Sequence, residues 1–188
     1  MKRFAFVCSL VVTLCSCSTY QASEANSMPA AIPGLHNHHA AGAVRPVNYA
    51  ARMPGSITPM GEKVIIVNPN VHAFGAYDAE GNLVRGGLAT AGGNWCPDIH
   101  RRCHTRAGSF RIQSLGSASC KSTIYPLPRG GAPMPYCMFF NGNQGLHGSY
   151  NVVDGNVSHG CVRLHVDDAE WIRFNFAHIG TRVIVKSY

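Results

Sequence analysis

Short apolar runs, separated by glycine-, proline- or asparagine-rich breaks, recur along the chain from about residue 62 to its end. Apolar runs of about four to eight residues bounded by turn formers predict β-strands. Within 71–93, two runs flank the turn-forming stretch 78–82, which indicates a hairpin. We expect strands in the segments EKVIIVNP (62–69), VHAFGAYDAEGNLVRGGLATAGG (71–93), GSFRIQSLG (108–116), PYCMFF (135–140) and TRVIVKSY (181–188).

The segment DDAEWIRFNFAHIG (167–180) carries helix signals instead. It starts with an aspartate cap, has acidic residues in its first turn and ends at Gly180. Trp171, Phe174 and His178 recur at helical spacing, which predicts a core-facing stripe with His178 favoured by the C-terminal end of the helix dipole. Together the runs predict a mostly β domain with one main helix and no internal repeat.

The N-terminus resembles an export signal. Lys2 and Arg3 precede the apolar run 4–14, which is too short to span a bilayer and fits a cleaved signal peptide over 1–17. The end of this run, LCSC (14–17), is similar to a bacterial lipobox, which predicts lipidation of Cys17. Ordinary cleavage a few residues later is the alternative. Either outcome predicts an exported protein of the bacterial cell envelope, and lipidation makes it a membrane-anchored, periplasm-facing lipoprotein.

Residues 18–61 differ in composition from the rest of the chain. They are rich in Ala, Pro, Ser, Gly and Asn and contain few large apolar residues, which predicts a flexible tether. His36, His38 and His39 lie in this stretch without a cysteine or carboxylate nearby, so we interpret them as solvated. Residues 62–188 are then long enough for one domain with its own core.

The formal net charge of +7 is basic. The chain contains no long run of lysine and arginine, and an exported protein meets anionic wall polymer and lipid first. We therefore expect no nucleic-acid partner.

Five cysteines remain outside the signal, and an odd number in an exported chain predicts one free thiol. Cys96 and Cys103 lie close together in WCPDIHRRC, and Cys120 and Cys137 flank a proline- and glycine-rich segment. Joining each of these two pairs leaves Cys161 free. The other two pairings of the same four cysteines stay open.

Zinc is the competing interpretation of these cysteines. His104 follows Cys103 directly, and His159 lies two residues before Cys161. Neither group has the paired short spacing of a structural zinc site. We expect neither a metal nor another cofactor.

Cys161 has the neighbours that a reactive thiol needs. A thiol attacks as thiolate and requires a base, and His147 precedes Cys161 by fourteen residues. A strand, a turn at 154–156 and a returning strand would bring the imidazole beside the sulfur. Gly148 would supply a carbonyl that orients His147.

Two more residues of the same stretch suit acyl transfer. The N–H of Gly160 would join that of Cys161 in facing an oxyanion. Arg163 lies two residues after Cys161, on the same face of an extended segment, and would bind a carboxylate.

SHGCVRL (158–164), preceded by HGS (147–149), resembles the signature of the YkuD-like L,D-transpeptidase family. TRAGSFRI (105–112) is similar to a strand entry of that family, with Arg106 and Ala107 departing from its usual Pro-Thr. The resemblance covers about 62–188 and implies a small mixed β-sandwich with one prominent helix. The gap of ten residues between His147 and Ser158 is at the short end for the family.

The resemblance also implies a function. Cell-wall cross-linking would proceed through a thioester on peptidoglycan stem peptides, with effects on wall biogenesis and cell shape. A protein amine is a further acceptor. The implied roles are nucleophile for Cys161, general base for His147, oxyanion pocket for Ser158, His159 and Gly160, and a site or substrate-carboxylate contact for Arg163.

Three rival functions compete with this interpretation, and the last two remain open. Sortases also order His, Cys and Arg, but with a distant His and a later Arg, so the spacing here does not fit. Water in place of an amine would make the protein an L,D-carboxypeptidase or hydrolase through the same acyl-enzyme. A non-catalytic wall-binding lipoprotein would need a groove and no reactive thiol.

Overall fold

The computed structural model describes residues 47–188. Nine strands in these residues form one mixed sheet in the order β4-β9-β1-β2-β3-β8-β7-β6-β5. The strands are β1 (Val64–Asn68), β2 (Ala73–Tyr77), β3 (Leu83–Thr90), β4 (Gly108–Arg111), β5 (Ser114–Leu115), β6 (Met138–Asn141), β7 (Gln144–Gly148), β8 (Val162–Leu164) and β9 (Arg182–Val185). The pairs β1–β9 and β7–β8 are parallel, and the other pairs are antiparallel. The prediction of a mostly β fold is confirmed.

The segment 108–116, predicted as one strand, forms two short strands at opposite ends of the sheet order. β4 pairs with β9, whereas β5 pairs with β6. Between them the N–H of Ile112 bonds to Thr181 and that of Gln113 bonds to Phe139, so the chain passes from one edge to the other within two residues. The sheet must therefore curl until its two edges approach each other.

The curled sheet is apolar on both faces along β1, because each face has its own cover. Ile65 and Val67 lie in the main core, and the alternate residues Val64 and Ile66 lie in a second, smaller core. Strand residues alternate between faces, so an unbroken apolar run is expected wherever both faces are buried. The main core also contains the buried helical residues Ala169, Ile172 and Phe176.

The main helix is shorter than 167–180 and begins differently. It comprises α1 (Val166–Trp171) and a π-helical turn (Ile172–Phe176), and His165 occupies the N-cap position without a side-chain bond. The predicted stripe is wrong: Phe174 is 62% exposed, and the buried face follows Ala169, Ile172 and Phe176. His178 lies beyond the helix, where its backbone N–H donates to Thr181.

Residues 49–57, which the sequence assigns to the tether, pack against the sheet. A 3-10 turn (Tyr49–Arg52) precedes Met53, which is buried in the second core with Tyr77. The hydroxyl of Tyr77 donates to the carbonyl of Pro54 at 2.9 Å. The folded domain therefore extends toward the N-terminus beyond residue 62.

The signal at 1–17, the lipidation site Cys17, the rest of the tether and His36, His38 and His39 lie outside the described residues. Within 47–188, no helix has the length and apolar character needed to cross a membrane.

Candidate active site

Strands β7 and β8 place His147 and Cys161 on one face of the sheet. The two strands are parallel, with Leu146 opposite Val162 and His147 opposite Arg163. Leu146 and Val162 point into the core. Because side chains alternate along a strand, His147, Arg163 and Cys161, two residues before Arg163, share the opposite face. All three line a cleft of about 570 Å³.

The chain between these strands takes a different path from the predicted returning strand. Residues 149–161 cross over the end of β3 and enter β8 in the same direction as β7. Thr90 of β3 holds this crossover through two hydrogen bonds with the backbone of Val153, at 2.6 and 2.8 Å. The N–H of Ser158 then donates to Ala91 at 2.9 Å. The His147–Cys161 neighbourhood is preserved because β3 guides the crossover back to the edge of β7.

His147 is built as a neutral base. His147 is only 6% exposed, and its Nδ1 is 2.8 Å from the carbonyl oxygen of Gly148. A carbonyl can only accept, so Nδ1 carries the hydrogen and Nε2 is left with its lone pair. Burial lowers the pKa of His147, and the charge of Arg163 lowers it further, against an opposing contribution from the Gly148 bond. Gly148 thus contacts His147 through its carbonyl.

Cys161 is the free cysteine among the described residues. Its thiol donates to the carbonyl of Asn143, at 3.3 Å from Sγ to oxygen. Burial raises the pKa of Cys161, while a backbone hydrogen bond with Gly145 and the charge of Arg163 act in the opposite direction. The resting pair is therefore a thiol beside a neutral imidazole. The directions of both pKa shifts favour this neutral pair over a thiolate beside a protonated His147.

The cleft is cationic. Arg163 is half-buried, forms no ion pair within 47–188, and contacts the carbonyl of Asn151 at 3.5 Å. Burial lowers the pKa of Arg163, and the neighbouring Cys161 opposes this. Arg101 and Lys121 also line the cleft, and no Asp or Glu of the described residues does. Such a surface favours an anionic ligand.

The turn at 158–161 sets the backbone of Cys161. The hydroxyl of Ser158 donates to the carbonyl of Cys161, and the N–H of Gly160 donates to the Ser158 hydroxyl oxygen at 3.2 Å. Gly160 has a φ of +115°, which glycine adopts without strain. Thr105 donates to the carbonyl of Gly160 at 2.8 Å. Ser158 and the N–H of Gly160 are thus occupied inside the turn, which differs from their predicted place in the oxyanion pocket.

His159 faces away from this turn toward two partners that the motif does not contain. Its Nε2 lies 2.9 and 2.8 Å from the two carboxylate oxygens of Asp98, and its ring is 4.4 Å from that of Tyr125. The bond to His159 lowers the pKa of Asp98. Asp98 lies sixty-one positions upstream, so no local sequence signal could have indicated it.

Two disulfides hold the segments that surround the cleft. Cys96–Cys103 closes the loop that contains Asp98, which we call the clasp loop (96–103). Cys120–Cys137 closes the segment 121–134, which we call the flap. The flap residues that line the cleft are Lys121, Ser122, Thr123, Ile124, Tyr125, Ala132, Pro133 and Met134.

One group of side chains has metal-like spacing. Ligand atoms of Cys96, Asp98 and His159 lie within 4.8 Å of one another. The sulfur of Cys96 is bonded to Cys103, however, and a disulfide sulfur is not the thiolate that binds metals. The geometry therefore fits a carboxylate–histidine pair beside a disulfide.

A family model, that of the YkuD L,D-transpeptidase catalytic domain, matches residues 62–185. No curated protein matches the chain. Among solved structures, the fold is similar to residues 123–326 of an L,D-transpeptidase from Xylanimonas cellulosilytica DSM 15894, with a TM-score of 0.62, 24% identity, and coverage of 72% of this chain and 66% of that one. An L,D-transpeptidase from Mycobacterium smegmatis gives a TM-score of 0.55 at 22% identity, covering 67% of this chain and 59% of that one.

A third similar structure is LdtMt1, an LD transpeptidase solved in complex with imipenem. It gives a TM-score of 0.55 at 22% identity, with coverage of 66% of this chain and 58% of that one. The chain thus spans about three fifths to two thirds of these solved chains, with shares of 66%, 59% and 58%. At this level of identity the likeness establishes the fold.

Proposed function

Because the chain belongs to the YkuD family of L,D-transpeptidase catalytic domains, we propose that it is a cysteine-dependent L,D-transpeptidase of peptidoglycan stem peptides. The observation that carries this proposal is the shared face of β7 and β8. It presents a thiol, a neutral imidazole and an unpaired guanidinium to one cleft. A nucleophile, a base and a carboxylate contact are the groups that acyl transfer from an anionic peptide requires.

In the first half-reaction Cys161 accepts the acyl group. Its sulfur attacks the carbonyl carbon of the peptide bond before the terminal D-alanine, while Nε2 of His147 takes the thiol proton. The tetrahedral intermediate collapses when the carbon–nitrogen bond breaks and the proton passes from His147 to the leaving amine. D-Alanine departs and a thioester on Cys161 remains.

In the second half-reaction an amine resolves the thioester. The amine nitrogen attacks the thioester carbonyl, His147 takes a proton from that nitrogen, and the sulfur leaves and regains a proton from His147. The product is an amide and free Cys161. An amine on a second stem gives a wall cross-link, and a protein amine would attach that protein to the wall.

Water in place of the amine would make the same site a carboxypeptidase or hydrolase. That alternative shares every step up to the thioester, so product identity separates it from cross-linking. The non-catalytic wall binder is the alternative of another class. The neutral base beside a free thiol favours catalysis over simple binding, since a binder needs neither group.

The neutral Cys161–His147 pair specifies how the base would act. A raised pKa for the thiol and a lowered pKa for the imidazole favour keeping the proton on sulfur until the acyl donor arrives. Proton transfer then accompanies attack, which is general base catalysis. Arg163 would hold a substrate carboxylate and also favour the thiolate as it develops.

We also propose where the enzyme works. The signal at 1–17 would export it, lipidation of Cys17 would anchor it to a membrane of the bacterial envelope, and the tether would let the catalytic domain reach the wall. Stem peptides lie in that compartment. The proposed domain order is signal 1–17, a tether that begins at residue 18, and a catalytic domain that comprises 62–188 together with the packed residues 49–57.

The test is mass spectrometry of the chain from Ser18 incubated with a purified tetrapeptide stem. We expect a covalent adduct that lacks one D-alanine and maps to Cys161. His147→Ala should slow its formation by roughly 10²–10⁴-fold, the usual contribution of a positioned base. His159→Ala should slow it less, because His159 bonds to Asp98 and not to the sulfur. Adduct formation by Cys161→Ala would end the proposal.

Carbapenems offer an independent probe of the same thiol. LdtMt1 is solved in complex with imipenem. We expect imipenem to acylate Cys161 by opening its strained ring, with a mass increase equal to the whole drug. Modification at another residue, or equal modification of the Cys161→Ala chain, would contradict the assigned nucleophile.

A further inference from the structure

A second, smaller pocket lies beside the catalytic cleft. It has a volume of about 180 Å³. Its walls include Arg102 and His104, together with four residues that also line the cleft: Arg101, Tyr125, Gln144 and His159. The two spaces are therefore neighbours, with His159 and the ring of Tyr125 contributing to the boundary between them.

The small pocket contains two guanidinium groups that have no internal anion. Arg101 and Arg102 are exposed, and neither forms an ion pair or side-chain hydrogen bond with another residue of 47–188. No Asp or Glu of the described chain lines the pocket. Asp98 lies close by, but its carboxylate is bound to His159. The positive charge of the two arginines is thus available to a ligand.

The side chains of His104 and Gln144 in this pocket already have partners. His104 bonds to the Asn94 side chain and its ring stacks on Tyr188 at 4.5 Å. The Gln144 amide donates to the carbonyl of His104 at 2.9 Å and its oxygen accepts from the N–H of Arg106 at 3.0 Å. These contacts form fixed walls, which leaves the two arginines as the charged groups free to contact a ligand.

The clasp loop holds the backbone that carries the arginines. Its disulfide joins two cysteines that are seven positions apart. Inside it the N–H of Cys96 donates to the carbonyl of Arg101 at 2.9 Å, and the N–H of Cys103 donates to Gly93 at 3.3 Å. A loop fixed in this way loses little conformational freedom when its side chains bind a ligand.

We propose that this pocket is a carboxylate subsite for the stem peptide, an inference that rests on the proposed function and deepens it. Two adjacent guanidinium groups match a carboxylate through paired N–H donors. His159 lines the pocket and lies two residues before Cys161, so a peptide bound at the sulfur can place a neighbouring carboxylate here. Both the acyl donor and the acceptor stem carry such carboxylates, and the two are distinguished by which half-reaction depends on the pocket.

Binding is tested first, without catalysis. In a Cys161→Ala chain from Ser18, the tetrapeptide stem should bind about tenfold more weakly when Arg101 and Arg102 are both changed to glutamine, the effect expected from losing charge-assisted bonds. A stem with its carboxylates amidated should bind both chains equally. Arg129→Gln is the matched control, because Arg129 lies in the flap and lines neither space. Equal binding of the free-carboxylate stem to both chains would overturn the subsite for that peptide as donor.

The half-reactions then separate donor from acceptor in the chain with Cys161 intact. If the carboxylate belongs to the donor, Arg101→Gln/Arg102→Gln raises the donor concentration for half-maximal acylation by about tenfold. If it belongs to the acceptor, acylation is unchanged and the acceptor concentration for half-maximal transfer from the preformed acyl-enzyme rises instead. The subsite is overturned when binding, acylation and transfer all match the Arg129→Gln control. Absence of any acyl-enzyme in the unaltered chain is a separate result that counts against the proposed function. In that case equal binding of the free-carboxylate stem to both chains overturns the subsite as a whole.

Discussion

The flap disulfide should contribute more to stability than the clasp disulfide, and the difference follows from the lengths of the loops. A disulfide stabilises mainly by restricting the unfolded chain, with an entropy that grows with the logarithm of loop length. For the separation of 17 between Cys120 and Cys137 this amounts to about 3 kcal/mol at room temperature. For the separation of seven between Cys96 and Cys103 it amounts to about 2 kcal/mol.

The measurement is denaturant unfolding of the two double variants, Cys120→Ala/Cys137→Ala and Cys96→Ala/Cys103→Ala. We choose alanine and not serine as the replacement, because Cys137 is 2% exposed and a serine there would bury an unsatisfied hydroxyl. Domains of this size have a free energy of unfolding of about 5–15 kcal/mol, so both variants should still fold. The flap variant should have the lower midpoint of unfolding. It should also need more donor peptide for half-maximal acylation, because the flap lines one side of the cleft.

Two results would refute this reasoning. A clasp variant less stable than the flap variant would mean that native contacts of the clasp loop, and not unfolded-state entropy, dominate. An unchanged midpoint in the flap variant would mean that residues 121–134 stay restricted without their disulfide. Reduction of the unaltered protein by a dithiol provides the control, since it should reproduce the combined loss while leaving the sequence unchanged.

Three further predictions concern the site and the anchor. The pH profile of kcat/KM should rise through a pKa below the usual 6.5 of histidine, because burial lowers the pKa of His147. It should fall through a pKa above 9.0, because burial raises the pKa of Cys161 and above that pH the pair lacks the proton that the leaving amine needs. An acid limb at or above 6.5 would contradict the neutral base. Asp98→Ala should slow acylation about fivefold, because it removes one hydrogen bond worth about 1 kcal/mol. The acid limb of the pH profile should stay in place, and Asp98→Asn should partly restore the rate. A shifted acid limb would make His159 the base. The unaltered full chain should partition into the detergent phase, and Cys17→Ala should leave the protein unprocessed or soluble. Equal detergent partitioning of the unaltered and Cys17→Ala chains would contradict the lipid anchor.

The proximity of His147 and Cys161 could be predicted because both lie in one short stretch where glycines allow close backbone approach. The direction of approach could not. Parallel pairing of β7 with β8 depends on the crossover bound to Thr90 of β3, more than sixty residues upstream. Strand patterns report which face a side chain takes, and they contain no information on which other strand will guide the connection.

Polar contacts between distant segments were also beyond the sequence. Asp98 reaches His159 and Thr105 reaches Gly160 across separations of 61 and 55 residues. Hydrophobic periodicity predicts burial, and a single carboxylate or hydroxyl in a loop has no periodicity. The helix was misplaced for a related reason. The spacing of aromatic residues favoured Phe174, whereas Ala169, Ile172 and Phe176, on a different face of the helical segment, fill the core.

The neutral state of Cys161 also bears on the compartment in which we propose that the enzyme works. An oxidising envelope favours disulfides, and thiolate is the form of cysteine that oxidises and exchanges with disulfides. Keeping the proton on Cys161 until a substrate carbonyl arrives slows both its oxidation and its exchange with disulfides. Four other cysteines of the described chain are already paired. Burial also lowers the pKa of His147, which favours the neutral imidazole at neutral pH and leaves Nε2 available to accept the thiol proton. Substrate binding would then supply what the resting site lacks, an acyl carbonyl with a leaving group placed for attack by the sulfur, so that reactivity is confined to the acyl donor.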